Sequence, residues 1–278
     1  MSRGNTEYGG AGIELVRRLS AEGERVFSTA RARDLAVGTG LSESYFRQAL
    51  HHLARSGWLV RLRKGLYAIS PTVPGVTPAH EFEIAMHLVD PAAISHWSAL
   101  NYHGLTDQVP GRVFVLTTAE GSVPRARAGE ARGAESGYAV GKTVYRFIQV
   151  KRERFFGTEK VWLGDARVTV TEVERTLLDG LTMPQHCGDI AEVLAAFEQA
   201  ADGLNVDRII DYALRLDQAT AKRLGWVLER LGIEPGRLTR LLELPVSGYR
   251  ALDPTGPRRG PCNGRWMIQE NLPGRIGQ

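Results

Sequence analysis

Between residues 42 and 64 the chain gathers the side chain types that nucleic-acid recognition uses. Ser42, Ser44, Tyr45, Arg47, Gln48, His51 and Arg55 lie on or beside one predicted helix. On a helical wheel Ser44, Gln48, His51 and Arg55 share one face, with Arg47 at its flank, while Phe46, Ala49, Leu50 and Leu53 share the other. The second set packs a core. The first is a row of donors and acceptors with cations, which suits base edges in a major groove. Arg61 follows on a strand of a predicted hairpin and Arg63 and Lys64 at its tip, where cations would meet backbone phosphates. The chemistry expected of these ten residues is binding rather than bond making.

The elements that must position them are legible nearby. Ser28 and Thr29 can cap a helix over 30–36, and Gly38 and Gly40 break it in a tight turn. Ser42 can cap the next helix, which runs to about Ser56 and is stopped by Gly57. Residues 58–62 and 66–69 read as two strands joined by Arg63-Lys64-Gly65. A helix over 9–19, with Ile13, Val16 and Leu19 on one side, would supply the opening helix of a winged helix-turn-helix. Pro71, Pro74, Gly75 and Pro78 punctuate a linker, so domains are expected at 1–75 and 78–278.

Charge supports that division. Residues 1–75 hold 11 Lys+Arg against 6 Asp+Glu, a net of +5, and the rest hold 24 against 25, a net of −1. The excess positive charge thus falls in the segment expected to neutralise phosphates.

The second region reads as mixed. Helices are expected at 79–89 and 95–102, strands at 113–118, 143–150, 160–163 and 167–170, and a long loop or weak hairpin over 119–142. Thr171 can cap a helix over 172–181, and further helices are expected at 189–201, 206–216, 219–231 and 237–242 before a last strand at 265–268. The fold class expected is therefore α+β: an N-terminal winged helix-turn-helix, then a mixed α/β C-terminal domain with strands first and helices after. Cys187 and Cys262 are far apart and outside any CxxC pair, so buried free thiols are expected. No apolar run approaches the ~20 residues a membrane span needs, and the first ten residues lack the apolar core of a secretory signal. A cytoplasmic protein without membrane partners is expected.

Three blocks of the second region carry a resemblance: ISHWSALNYHGLTDQ at 94–108, VFVLTT at 113–118, and ERTLLDGLTMPQHCGDIAEV at 174–193. With KRLGWVLERLG at 222–232 and the closing YRALDP…NGRW pattern, they resemble the AbiEi family of antitoxins from type IV toxin–antitoxin, or abortive-infection, systems. The resemblance implies a DNA-binding winged helix that represses its own promoter at inverted repeats, and a C-terminal domain that counters a cognate AbiEii-like nucleotidyltransferase toxin. A palindromic operator would take two copies. It implies no cofactor and no catalytic residue.

Enzymatic readings find less support. The toxin half of such a system needs a Gly-Ser followed by metal-binding aspartates, whereas Gly121-Ser122 is followed by Val123-Pro124-Arg125. There is no GxSxG, HExxH or Walker loop. His80, His87, His96 and His103 come in pairs seven apart, two helical turns rather than the spacing of four usual for metal pairs on a helix. Lys160, Asp165, Glu172 and Glu174 surround a strand-turn-helix but lack the nuclease arrangement, so helix-capping acids explain the two glutamates. A run from Lys151 to Phe156 mixes cations with aromatics. It reads either as a contact for DNA, tRNA or toxin, or as a solvated turn with two buried phenylalanines. Trp97 and Tyr102 read as core. An interaction protein without sequence-specific DNA binding is the alternative function, and a winged-helix-targeted nuclease the third.

Overall fold

The structure, a computed structural model, describes residues 4–74, 78–118, 123–124 and 137–272. It is an α+β fold. The described parts of residues 1–90, 122–145 and 162–167 form one compact unit, and those of 91–121, 146–161 and 168–278 a second. The first unit thus continues beyond Pro74–Pro78, where the linker was expected, and takes in two later segments.

In the first unit, α1 (Gly4–Ala21) is followed by β1 (Val26–Ser28), α2 (Thr29–Ala36), α3 (Glu43–Arg55), β2 (Leu59–Arg63) and β3 (Leu66–Ile69). The three strands form an antiparallel sheet in the order β1-β3-β2. The strand β1 was not anticipated: its three residues carry no pattern, and it exists because Val26, Phe27 and Ser28 pair with Ala68, Tyr67 and Leu66. Leu15, Val16, Leu19, Phe27, Phe46, Leu50, Leu53, Leu59 and Ile69 pack one core under the helices. Each such side chain contributes about 1.5–3 kcal/mol relative to exposure. One sequence assignment is corrected: Ile13 is 43 % exposed. The inward stripe of α1 is Gly12, Leu15, Val16 and Leu19, with Gly12 turned to the Leu53 side chain, so Ile13 falls one position off the buried face. The unit continues with α4 (Glu81–Leu88).

The second region adds β4 (Ala93–Ile94), α5 (His96–Tyr102), β5 (Val113–Thr118), β6 (Tyr138–Val140), β7 (Thr143–Val150), β8 (Thr158–Leu163) and β9 (Ala166–Thr171). These strands form a six-stranded sheet in the order β6-β7-β5-β4-β9-β8. Two-residue β4 pairs antiparallel with β5 and parallel with β9. Most of the loop expected over 119–142 lies outside the described residues, and its end forms β6.

Helices α6 (Val173–Thr182), α7 (Ile190–Ala200), α8 (Val206–Leu216), α9 (Gln218–Arg230) and α10 (Thr239–Leu242) follow. In α6 every residue from Glu174 to Leu181 is buried. Thr171 does not cap it: Thr171 ends β9, and Glu172 takes the cap position without a side-chain bond to the helix. Gly225 lies where an added Cβ would come 2.0 Å from Cζ3 of Trp266, so α9 and that ring meet only because position 225 has no side chain. The strand expected at 265–268 is also corrected. Residues 264–267 turn, with Met267 at φ 54, and Ile268–Gln269 (β12) sits between Arg250–Ala251 (β10) and Cys262–Asn263 (β11). Strands therefore also follow the helices. Cys187 is buried as expected, whereas Cys262, on edge strand β11 of that small sheet, is exposed rather than buried. No helix among the described residues is long and apolar enough to cross a membrane.

Candidate nucleic-acid interface

The α2–turn–α3 segment is built from local hydrogen bonds. Ser28 Oγ accepts from the Arg31 amide at 3.1 Å and caps α2. Gly38 and Gly40 adopt φ of 78° and 84°, which a side chain would resist, and Thr39 donates to Ala36 O at 2.7 Å. Arg18 of α1 reaches over and donates to Val37 O at 2.6 Å and Gly38 O at 3.2 Å, holding the turn. Ser42 is the N-cap of α3 by backbone, but its side chain makes no cap bond and instead lies 3.2 Å from Ser44 Oγ. Arg33 of α2 fixes the start of α3: Nε is 2.9 Å from Glu43 Oε1, and the guanidinium lies over the Phe46 ring.

The two faces of α3 separate as its spacing requires. Phe46, Ala49, Leu50 and Leu53 are buried. Ser42, Ser44, Arg47, Gln48, His51 and Arg55 are exposed, and Tyr45 is half-buried. His52 is exposed as well and was passed over on the wheel. In the hairpin, a register shift between Arg61 and Arg63 keeps Leu62 fully buried while both arginines and Lys64 stay exposed. Gly65 turns the tip at φ 76°, and its carbonyl accepts from the Thr29 amide at 2.9 Å, tying the hairpin to the start of α2. Arg63 donates to His87 O at 3.4 Å.

The cations of this segment sort into two groups. Arg17 and Arg18 face Glu14, Arg25 faces Glu83 and Asp165, Arg31 faces Glu24, and Arg33 faces Glu43. The bond to Glu24 raises the Arg31 pKa. Arg47, Arg55, Arg61, Arg63 and Lys64 form no ion pair among the described residues. The uncompensated positive charge is therefore concentrated on the outer face of α3 and on the β2–β3 hairpin.

The other singled-out residues serve local structure. His80 Nδ1 accepts from the Phe82 amide at 3.1 Å and caps α4. Burial lowers the pKa of His87. His96 is fully buried at φ 50°, 2.9 Å from Ser95 Oγ, and burial holds its pKa well below the ordinary value. His103 Nε2 lies 2.7 Å from Thr171 O. No group of three metal-ligating side chains occurs among the described residues. Asp165 is 3.5 Å from Arg25, Glu172 accepts from Tyr212 at 2.8 Å, and Glu174 accepts from the Asn205 amide at 3.1 Å. Lys160 is exposed on β8. In the Lys151–Phe156 run, Arg154 donates to Leu216 O at 2.9 Å. Phe156 packs under Arg175 and Arg215 and edge-on to Tyr212, and Phe155 packs on the cluster of Phe114 and Ile148. The run is thus largely consumed by packing, and Lys151 and Arg152 alone of its cations stay exposed. Trp97 and Tyr102 are half-buried.

Sequence reasoning missed the residues that act through others, such as Arg18 and Arg33. Their partners are carbonyls, a carboxylate and a ring brought together only by folding.

No curated protein matches the sequence. The crystal structure of the RV2827C protein from Mycobacterium tuberculosis has a similar fold, with a TM-score of 0.68 at 15 % identity, covering 93 % of this chain and 90 % of that one. Residues 14–70, the span from within α1 to just past β3, match the family described as transcriptional regulator, AbiEi antitoxin. Over that span the chain is similar to the AbiEi antitoxin regulators.

Proposed function

We propose that the protein is a DNA-binding antitoxin that represses its own operon and counteracts a cognate nucleotidyltransferase-fold toxin. In this reading residues 9–69 are a winged helix-turn-helix, with α3 as the recognition helix and the β2–β3 hairpin as the wing. Ser44, Arg47, Gln48, His51 and Arg55 read base edges, with Ser42 and Tyr45 at the start of the helix. Arg61, Arg63 and Lys64 hold phosphates. The observation that carries the reading is the sorting of cations: among the described residues of 1–75, five arginines face carboxylates within the fold, and the five cations without an ion pair lie on α3 and the hairpin. A palindromic operator would take two copies, one per half-site. No catalytic step and no cofactor belong to this function.

The test is a reporter fused to the DNA upstream of the protein's own gene. Supplying the protein should lower expression, and Gln48→Ala should relieve that repression. Unchanged expression with wild-type protein would overturn the autorepression reading.

A further inference from the structure

The β6–β7 turn, with its flanking residues up to Tyr145, belongs to the same compact unit as α3 and the β2–β3 hairpin, although some seventy residues of sequence separate them. Two hydrogen bonds hold it there. The Tyr138 hydroxyl donates to the carbonyl of Leu62, the residue between Arg61 and Arg63. Tyr138 pairs across the hairpin with Tyr145, whose hydroxyl donates to Glu81 O at 3.1 Å at the start of α4. Gly137 leads into β6, where an added Cβ would come 2.9 Å from Tyr145 O, so the approach depends on a missing side chain. The last pair is Val140 with Thr143, and the turn between them is Gly141, at φ 59°, and Lys142.

Lys142 is exposed and forms no ion pair among the described residues. It lies four residues past Tyr138, at most about 14 Å along the chain. Its backbone is thus tethered within that distance of Tyr138, whose hydroxyl meets the carbonyl between Arg61 and Arg63. The sequence pattern alone places this turn at the end of a long loop or weak hairpin.

We infer that the β6–β7 hairpin is an additional phosphate-binding element, with Lys142 contacting duplex DNA beyond the reach of Arg63 and Lys64. The inference rests on the proposed DNA-binding function. A compact lysine ammonium at a turn suits a phosphate and carries no base-reading geometry, so it adds affinity without sequence preference.

The test measures binding to the DNA upstream of the protein's own gene, and to scrambled DNA of equal length, at several salt concentrations. Wild type is compared with Lys142→Ala, Lys142→Glu, Lys142→Arg and the double variant Arg63→Ala with Lys64→Ala. Lys142→Ala should weaken binding several-fold on both DNAs and lower the salt slope by ~0.9, as expected when one phosphate is no longer neutralised. Lys142→Glu should weaken it further, and Lys142→Arg should restore it. Unaltered affinity and slope in the Lys142 variants, while the Arg63–Lys64 variant is reduced in both, would overturn this inference and leave the DNA-binding function standing. Absence of wild-type binding to either DNA would overturn both.

Discussion

Arg18 of α1 donates to the carbonyl of Val37 at 2.6 Å, in the turn that joins α2 to α3. The same guanidinium reaches Gly38 O at 3.2 Å and lies 3.4 Å from Glu14. Helix α1 and the α2–α3 turn therefore meet at this side chain. Arg18→Ala should cost about 1–2 kcal/mol of stability, since hydrogen bonds to a charged group are removed from a part-exposed site. It should also reduce discrimination between operator and scrambled DNA while leaving the salt slope unaltered. Urea denaturation and a salt titration of binding check the two parts. A reduced slope would place Arg18 on the DNA instead.

The two faces of α3 predict opposite behaviour for neighbouring substitutions. Phe46 is 1 % exposed in the core, so Phe46→Ala should destabilise the first unit by about 3–5 kcal/mol. Exposed Gln48→Ala should change stability by less than about 0.5 kcal/mol and shift the preference among operator sequences. Denaturation curves and competition binding separate these outcomes. Equal losses for Gln48→Ala on operator and random DNA would remove that residue from base reading.

Gly225 and Trp266 set the packing of the second unit. An alanine at 225 would bring its Cβ against a ring that is fully buried and anchored by its Nε1 donating to Glu229 at 2.7 Å. Neither the helix nor the ring can give easily, so Gly225→Ala should cost at least about 1–3 kcal/mol. Thermal denaturation and the near-ultraviolet dichroism of the tryptophans report it. Wild-type melting would show that the ring has room to move.

Stability should fall as pH falls below about 6.5. Burial lowers the folded-state pKa of His96, His186 and His87, so the folded protein keeps them neutral where the unfolded chain takes up protons. More protons bound in the unfolded state make stability rise with pH, and this contribution is lost on acidification from the ordinary histidine value downward. Each group adds at most about 1.4 kcal/mol per pH unit across its window. His96→Asn, whose side chain tolerates the φ of 50°, should flatten the dependence measured by urea denaturation between pH 7.5 and 5. An unchanged profile would exclude His96 as a contributor.

Much of this architecture was legible because amphipathic periodicity is a local property. The spacing of Phe46, Ala49, Leu50 and Leu53 located α3 and its buried face, and the short β-prone apolar runs within 113–118 and 143–150 located β5 and β7. Elements whose existence depends on a distant partner were not legible. Strand β4 is two residues long and is defined by pairing with β5 and β9, and β1 is defined by pairing with β3. Ile13 was assigned inward because three apolar residues at 13, 16 and 19 fit one stripe, but the stripe centred on Gly12 won because that glycine packs on Leu53. For the candidate interface, exposure of Arg47, Gln48 and Arg55 follows from the wheel. Which cations lack an ion pair does not, because Glu43 and Asp165 are placed by tertiary structure.

The most direct measurement is a salt titration of binding to the DNA upstream of the protein's own gene, set against scrambled DNA of equal length. The account predicts a clear preference for the upstream DNA at physiological salt. It also predicts a steep salt dependence, which Arg63→Ala with Lys64→Ala lowers by ~0.9 for each phosphate left without its cation. Equal, weak binding to both DNAs, with a slope indifferent to Arg63 and Lys64, would contradict it.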